Sequence, residues 1–140
     1  MTIATWNPRY ATGIEIIDAQ HQALFEALNR LSGAFRDGTS GQHTEAGLDA
    51  LLAYTLEHFR TEEAFMRERA YPGLATHAAE HELLAKKAQE LESHYRHRRP
   101  VAMDLAIFLA DLLARHIDTH DLAMARFLRE EPPTVTVQRL

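Results

Sequence analysis

The chain has 140 residues, a formal net charge of -5, nine histidines and no cysteine. Its length suits one domain with a sizeable core, and its negative charge argues against nucleic acid as the main partner, because contact with phosphates needs a basic face. The lack of cysteine excludes disulfides, thiolate zinc sites and cysteine-held iron–sulfur clusters, so any bound metal must be held by nitrogen and oxygen.

No targeting or membrane segment is recognisable in the sequence. The first ten residues, MTIATWNPRY, lack a charged region followed by an apolar run. The most apolar stretch, residues 103–114, is interrupted by Asp104 and Asp111 and is not expected to span a membrane. We therefore expect a cytoplasmic protein.

An extended arm and a first helix are predicted at the start of the chain. Residues 1–17 show no helical period, and Trp6 is expected to anchor them to the body of the protein. Asp18 is a suitable N-cap for a helix of about 20 residues that ends near the Asp37-Gly38 turn. His21 shares the face of an apolar stripe. This stripe consists of Leu24, Leu28, Leu31 and Phe35.

Two further helices are predicted on either side of the break at Tyr71-Pro72-Gly73. The second follows a polar loop at residues 38–44 and runs to about residue 69. Both helices have a seam of inner positions in alternating steps of three and four, which places Glu62 inside and Glu63 outside. The seams are Leu48, Leu51, Thr55, His58, Glu62 and Phe65 in the second helix, and Leu74, His77, His81, Leu84, Ala88, Leu91 and Tyr95 in the third.

A fourth helix is predicted to follow Pro100 and to run from about residue 101 to residue 129. Its apolar face consists of Leu105, Phe108, Leu109, Leu112, Leu113, Ile117, Met124 and Leu128. Four amphipathic helices joined by short loops predict an all-α, antiparallel up-down-up-down four-helix bundle with an extended N-terminal arm. We expect this bundle to occupy residues 1–130, and residues 131–140 to form a flexible tail.

Metal-type ligands occur in pairs at helical spacing, His58 with Glu62 and His77 with His81. Residues four apart on an α-helix share a face, so each pair can aim two donors at one point. Inner histidines occur on all four predicted helices, and without a cation they would leave many buried polar groups unsatisfied. A shared metal is the simpler explanation. The inner histidines are His21, His58, His77, His81 and His116.

On the fourth helix, the sequence does not decide which residue accompanies His116 as a metal ligand. By spacing alone His116 should pair with His120, because Asp121 is five residues on and about 140° round an α-helix. Asp121 nevertheless lies in an apolar stripe with Ile117, where an unpaired charge would be costly. Ligand chemistry also favours it, since a second carboxylate could bridge a pair of divalent metals and offset their charge.

Several motifs occur in a fixed order along the chain. They are Trp6, Gly13-Ile14, Ile17-Asp18-x-Gln20-His21, His58-Phe59-x-x-Glu62-Glu63, Met66, Tyr71-Pro72, His77-x-x-Glu80-His81 and His116-Ile117-x-x-x-Asp121. In these motifs the sequence resembles the hemerythrins, and among them the single-domain bacteriohemerythrins, from residue 6 to about residue 128. Leu112 departs from the pattern, because many members carry tryptophan there, and so does the tail beyond residue 128.

The resemblance implies a non-heme di-iron site with two iron ions. Three histidines would hold one iron and two the other, and two carboxylates with an oxo or hydroxo group would bridge them. The residues implied are His77, His81 and His116 for the first iron, His21 and His58 for the second, and Glu62 and Asp121 for the bridges. In the family, dioxygen binds reversibly at the open position of the iron with two histidines. That position needs a dry pocket, and Leu113 and Ile117 are expected to line it, although each is also an ordinary core residue.

We therefore expect a reversible oxygen-binding protein and not an enzyme, with dioxygen as its partner and a monomer as its state. The alternatives are an oxygen or redox sensing module and a di-iron enzyme of the oxidase or peroxidase type. Ferritin-like di-iron enzymes use Glu-x-x-His pairs, and none of the nine histidines has a glutamate three residues before it. A zinc protease is disfavoured because His81-Glu82 is not followed by histidine at Ala85.

Overall fold

Four helical rods form the protein in the computed structural model, which describes residues 2–36, 42–97 and 102–130. Helix α1 spans Glu15–Arg36, α2 spans Gln42–Glu68 and α3 spans Leu74–Arg96. The fourth rod consists of α4 (Ala102–His116), one π-helical turn (Ile117–Asp121) and α5 (Leu122–Arg129). Helix α1 packs against α2 and α4, and α3 packs against the same two, so the rods form a closed ring. The predicted all-α, antiparallel four-helix bundle is confirmed.

The inner seams of α1, α2 and α3 are buried over most of their predicted length, because apolar residues at steps of three and four share one face of a helix. The prediction for α4 was wrong at Phe108, whose residue surface is 46% exposed. Its place inside is taken by Ala106 and Ala110, which with Leu109 and Leu113 form the stripe that faces the core. Small residues here let α4 lie close to its neighbours, while the Lys87 ammonium covers the Phe108 ring.

The N-terminal arm lies along α1 and includes a short 3-10 turn at Pro8–Tyr10. Asn29 fixes its first residues, since the side-chain oxygen accepts from the backbone N–H groups of Ile3 and Ala4 and the side-chain amide donates to the Ala4 carbonyl. The predicted anchor, Trp6, is partly buried and packs edge-on against Phe25. The arm therefore covers the side of the bundle on which His21 lies.

The start of α1 differs from the prediction. The helix begins at Glu15, three residues before the predicted cap Asp18. The Asp18 carboxylate still stabilises this end of the helix, because it accepts hydrogen bonds from the backbone and hydroxyl of Thr12 and from the Gly13 N–H. Gly13 has a φ of 81°, a value that favours glycine. Asp18 thus stabilises the turn that precedes α1, although Asp18 itself lies within the helix.

The link between α2 and α3 falls at the predicted Tyr71-Pro72-Gly73 break. The Tyr71 N–H donates to the carbonyl of Met66, which closes the end of α2, and Ala70 adopts a positive φ of 53°. This short reversal sets the ends of α2 and α3 that carry His58, Glu62, His77 and His81 side by side.

The predicted tail at residues 131–140 and most of the predicted loop at 38–44 lie outside the described residues. Within the ranges described, the helices are too short or too polar to cross a membrane.

Candidate metal centre

Seven ionisable side chains from all four rods meet at one level inside the bundle. None of these residues is more than 2% exposed. Burying five imidazoles and two carboxylates is costly unless they are paired or bind a cation, so this cluster needs an explanation beyond packing. The residues are His21 from α1, His58 and Glu62 from α2, His77 and His81 from α3, His116 from the end of α4 and Asp121 from the π-helical turn.

The cluster divides into two overlapping groups, in each of which all ligand atoms lie within 4.8 Å of one another. One group has three histidines and the other has two, and both carboxylates belong to both groups. We call them the three-histidine group and the two-histidine group. The first contains His77, His81 and His116 with Glu62 and Asp121, and the second contains His21 and His58 with the same two carboxylates.

Glu62 presents one oxygen to each group. Its Oε1 lies 2.9 Å from His81 Nε2 and 3.3 Å from His77 Nε2. Its Oε2 lies 2.9 Å from His58 Nε2 and 3.2 Å from His21 Nε2. A carboxylate whose two oxygens face two separate sets of nitrogen donors has the arrangement needed to bridge two metal ions.

Asp121 is placed in the same way. Its Oδ1 lies 2.8 Å from His77 Nε2 and 3.1 Å from His116 Nε2, whereas its Oδ2 lies 3.0 Å from His21 Nε2. Both Asp121 oxygens are buried, and although imidazole nitrogens lie close to them, no described residue meets the geometry of a hydrogen bond to either oxygen. Buried carboxylate oxygens that face imidazole nitrogens fit a cation that binds both, and nitrogen with oxygen donors suits divalent transition metals, iron among them.

The π-helical turn places Asp121, and not His120, in the two inner groups. In this turn the Leu122 N–H donates to the Ile117 carbonyl five residues earlier, so the turn is wider than in an α-helix. The extra residue per turn brings Asp121 to the same side as His116, although the two are five apart. His120 is half-buried and stacks on His116 with ring centroids 5.2 Å apart, and it belongs to neither group.

Two residues outside the cluster hold two of its histidines in place. The His58 Nδ1–H donates to the Gln20 side-chain oxygen at 2.7 Å, and the His81 Nδ1–H donates to a Glu63 carboxylate oxygen at 2.7 Å. Since each acceptor fixes the proton on Nδ1, the Nε2 lone pair points into the cluster. Glu63 is partly exposed, as predicted, but the sequence analysis missed its contact with His81. The sequence could have indicated that such a contact exists, because a histidine that binds a metal needs a hydrogen-bond acceptor for its second ring nitrogen.

A narrow apolar crevice adjoins the two-histidine group. It is lined by the cluster residues His21, His58, His116 and Asp121 and by apolar side chains, and it has no room for a water molecule. Leu113 and Ile117, the residues expected to line an oxygen pocket, both lie on its wall and are almost fully buried. The other apolar side chains are Leu24, Phe25 and Phe59.

Comparison with known proteins agrees with this geometry. The family model described as "Hemerythrin HHE cation binding domain" matches residues 12–128, which span all seven cluster residues. The chain belongs to the hemerythrin family. Bacteriohemerythrins are among its relatives: that of Stenotrophomonas maltophilia (strain R551-3) is 33% identical over 127 residues, covering 89% of this chain and 81% of the relative. That of Methylococcus capsulatus is 31% identical over 125 residues, covering 86% and 93%.

The fold is likewise similar to that of solved hemerythrins. The crystal structure of a hemerythrin with a leucine-to-alanine mutation superposes with a TM-score of 0.79 and 28% identity, covering 93% of this chain and all of the other. The hemerythrin domain implies iron binding, and the buried histidine and carboxylate residues of this chain could hold the metal.

The charges of the cluster are coupled through its short contacts. Burial alone would lower the pKa of His21, but the contacts and charges of Asp121 and Glu62 outweigh burial and raise it to about 9. The pKa of His77 is raised to about 9 by the same balance. Burial would raise the pKa of Glu62, yet the nearby histidines, His58 first, hold it well below its ordinary value. The short contacts thus favour the protonated form of His21 and His77 and the ionised form of Glu62.

We predict that Asp121→Ala reduces iron binding and His120→Ala does not. Asp121 faces histidines of both groups, whereas His120 lies outside both. The measurement is iron bound per chain after loading and gel filtration, with helical content by circular dichroism as the control for folding. Full iron content in Asp121→Ala with loss in His120→Ala would show that the assignment of the fourth rod is wrong.

We also predict that metal loading releases protons at pH 7. With a pKa of about 9, His21 and His77 carry protons in the metal-free protein and must lose them to bind a metal. Metal affinity should accordingly rise with pH from 7 to about 9 and level off above it. The measurement is proton release in weakly buffered solution with a pH indicator. If metal loading releases no protons at pH 7, His21 and His77 are not protonated at that pH and the prediction is wrong.

Proposed function

We propose that this protein binds dioxygen reversibly at a non-heme di-iron centre. One iron would be held by the three-histidine group and the other by the two-histidine group, and Glu62 and Asp121 would bridge them together with an oxo or hydroxo group. The observation that carries the proposal is the division of carboxylate oxygens, one from each carboxylate toward each group of histidines. A single metal would leave half of these oxygens without a partner.

The unequal number of histidines supports an open position on one side. The two-histidine group has one protein ligand fewer than the three-histidine group, so the iron it holds would keep room for a small ligand. The apolar crevice adjoins this group. When bound there, a reduced iron pair would supply two electrons to dioxygen and take both back when dioxygen is released.

The side chains of the crevice would protect this position. Leu113 and Ile117 are 3% and 2% exposed and offer no hydrogen-bonding group, so water and anions gain little by entering. Exclusion of water limits loss of the oxygen ligand in reduced form, which would leave the centre oxidised. We therefore assign Leu113 and Ile117 to the oxygen pocket. The crevice is narrow, and small side-chain movements would admit a diatomic molecule.

Gln20 and Glu63 would keep the ligand set rigid. Each accepts the Nδ1 proton of one ligand histidine, His58 and His81 respectively, so neither ring can turn its second nitrogen inward without losing a short hydrogen bond. Phe59 adds a steric constraint, because its ring stacks face-to-face on His81 with centroids 4.0 Å apart. A rigid ligand set supports a reaction that must run equally well in both directions.

A direct test is the visible spectrum of the reduced, iron-loaded protein during exposure to oxygen and then to an inert gas. We expect an iron charge-transfer band that appears with oxygen and disappears on purging, over several cycles. Steady oxygen consumption in the presence of a reductant would instead favour a di-iron oxidase or peroxidase. A band that forms once and does not reverse would contradict oxygen carriage and favour redox sensing.

A polar substitution in the crevice should shorten the life of the oxygen-bound state. We expect Leu113→Asn to speed oxidation of the centre by about tenfold, equivalent to about 1.4 kcal/mol in activation free energy, because the amide would draw in water. The control is Ile107→Asn on the exposed face of the same helix, which should leave the rate unchanged. The decay of the charge-transfer band measures both. Equal rates in the two variants, at equal iron content, would remove Leu113 from the pocket.

Three expectations from the sequence stay predictions. They are a non-enzymatic role, a monomeric state and a cytoplasmic location. The boundary between a bundle at residues 1–130 and a flexible tail at residues 131–140 is also a prediction.

A further inference from the structure

A third group of metal-type ligands lies on the solvent side of the centre. It consists of Glu80, His116 and His120, whose ligand atoms lie within 4.8 Å of one another, and we call it the outer triad. The Glu80 side chain is 32% exposed and His120 is half-buried, whereas every residue of the two inner groups is at most 2% exposed. The outer triad is therefore a ligand group that an ion in solution can reach.

His116 belongs both to the outer triad and to the three-histidine group. Its Nε2 lies 3.1 Å from Asp121 on the inner side, and its Nδ1 lies 4.0 Å from Glu80 Oε1 on the outer side. Nδ1 is buried and has no hydrogen-bond partner among the described residues. A separation of 4.0 Å is too long for a hydrogen bond but short enough for one cation to contact both atoms at about 2.0 to 2.2 Å.

The inner groups need a route by which iron reaches them. Their ligand atoms are enclosed by four rods, so an ion cannot bind without passing between side chains. A hydrated divalent ion loses water most easily where protein ligands replace it in steps. The outer triad provides such a step, because His120 stacks on His116 one helical turn away and Glu80 supplies a negative charge.

The other openings near the centre suit a cation less well. The apolar crevice beside the two-histidine group offers no charged group outside the centre itself. The groove between α2 and α3 reaches His81 and is lined by Glu63 and Glu82, but also by several alanines and by the cationic Arg60. In that groove the His81 Nδ1 is already bonded to Glu63 at 2.7 Å. The outer triad alone among these three combines solvent access, an anionic ligand and an unpartnered ligand nitrogen.

We propose that the outer triad is the loading site for ferrous iron. It would bind Fe²⁺ from solution through Glu80, His120 and His116, after which the ion passes His116 to reach the three-histidine group. This inference rests on the proposed di-iron function and adds to it a route of assembly. Because the triad lies on the path of the ion in both directions, it would speed loading and release equally and leave the equilibrium affinity for iron unchanged.

The test compares iron loading and release in Glu80→Gln and His120→Ala with the unsubstituted protein. Loading is followed anaerobically by stopped-flow mixing with Fe²⁺, and release by transfer from the reduced protein to a ferrous chelator at saturating concentration. We expect the loading rate to fall by about tenfold, the lower end of the range by which charged clefts speed association, and the release rate to fall by the same factor because the equilibrium affinity stays unchanged. Iron content at equilibrium should stay the same.

Matched controls separate the triad from general charge effects. Glu82→Gln removes the same charge from an exposed position on α3, and Thr119→Ala alters an exposed neighbour of His120, so both should load and release iron at the unsubstituted rate. If the triad variants load and release iron as fast as these controls, the proposal is wrong. A lower iron affinity in Glu80→Gln or His120→Ala would also overturn it, because it would show support of His116 and not passage of the ion.

Slower loading in Glu82→Gln, whose side chain lines the α2–α3 groove, with normal loading in the triad variants, would place the route in that groove and refute the outer triad. Failure of the unsubstituted chain to bind iron at all would have a different meaning. It would refute the proposed function itself, and this inference with it. Circular dichroism of each metal-free variant confirms that slow loading does not come from loss of the fold.

Discussion

The burial of two carboxylates among five imidazoles is the constraint on which the rest of the structure depends. Glu62 and Asp121 are fully buried, and their oxygens face histidine nitrogens at 2.8 to 3.3 Å. Such a cluster is stable only if positive charge is shared across it, either as protons or as metal ions. Accordingly, Asp121 and Glu62 raise the pKa values of His21 and His77 against the effect of burial.

The helices around the cluster have two structural roles. Their inner seams bury apolar residues above and below the ligands, which keeps water away and holds the rods at a fixed spacing. Their partly exposed residues reach the ligands from outside, as Gln20 reaches His58 and Glu63 reaches His81. The centre is thus held by residues that a description of the ligands alone would omit.

The two ends of the centre are unlike each other, and this asymmetry links the structure to its proposed role. The two-histidine group adjoins an apolar crevice without room for water, which suits a small neutral ligand such as dioxygen. The three-histidine group adjoins the outer triad, which carries charge and reaches solvent and so suits a cation. The crevice and the outer triad both reach His116, but one is apolar and the other charged, so a gas and a metal ion would each meet surroundings that favour it.

Spacing along the chain was sufficient to predict the helical bundle and the inward positions of His58, Glu62, His77 and His81, because four-residue steps on an α-helix fix which side chains share a face. Spacing could not decide between His120 and Asp121, since that choice depends on a π-helical turn that breaks the regular period. Nor could it reveal the contact of Glu63 with His81. The first depends on a local change of backbone hydrogen bonding within the fourth rod and the second on the packing of α2 against α3, and only the three-dimensional structure shows either of them.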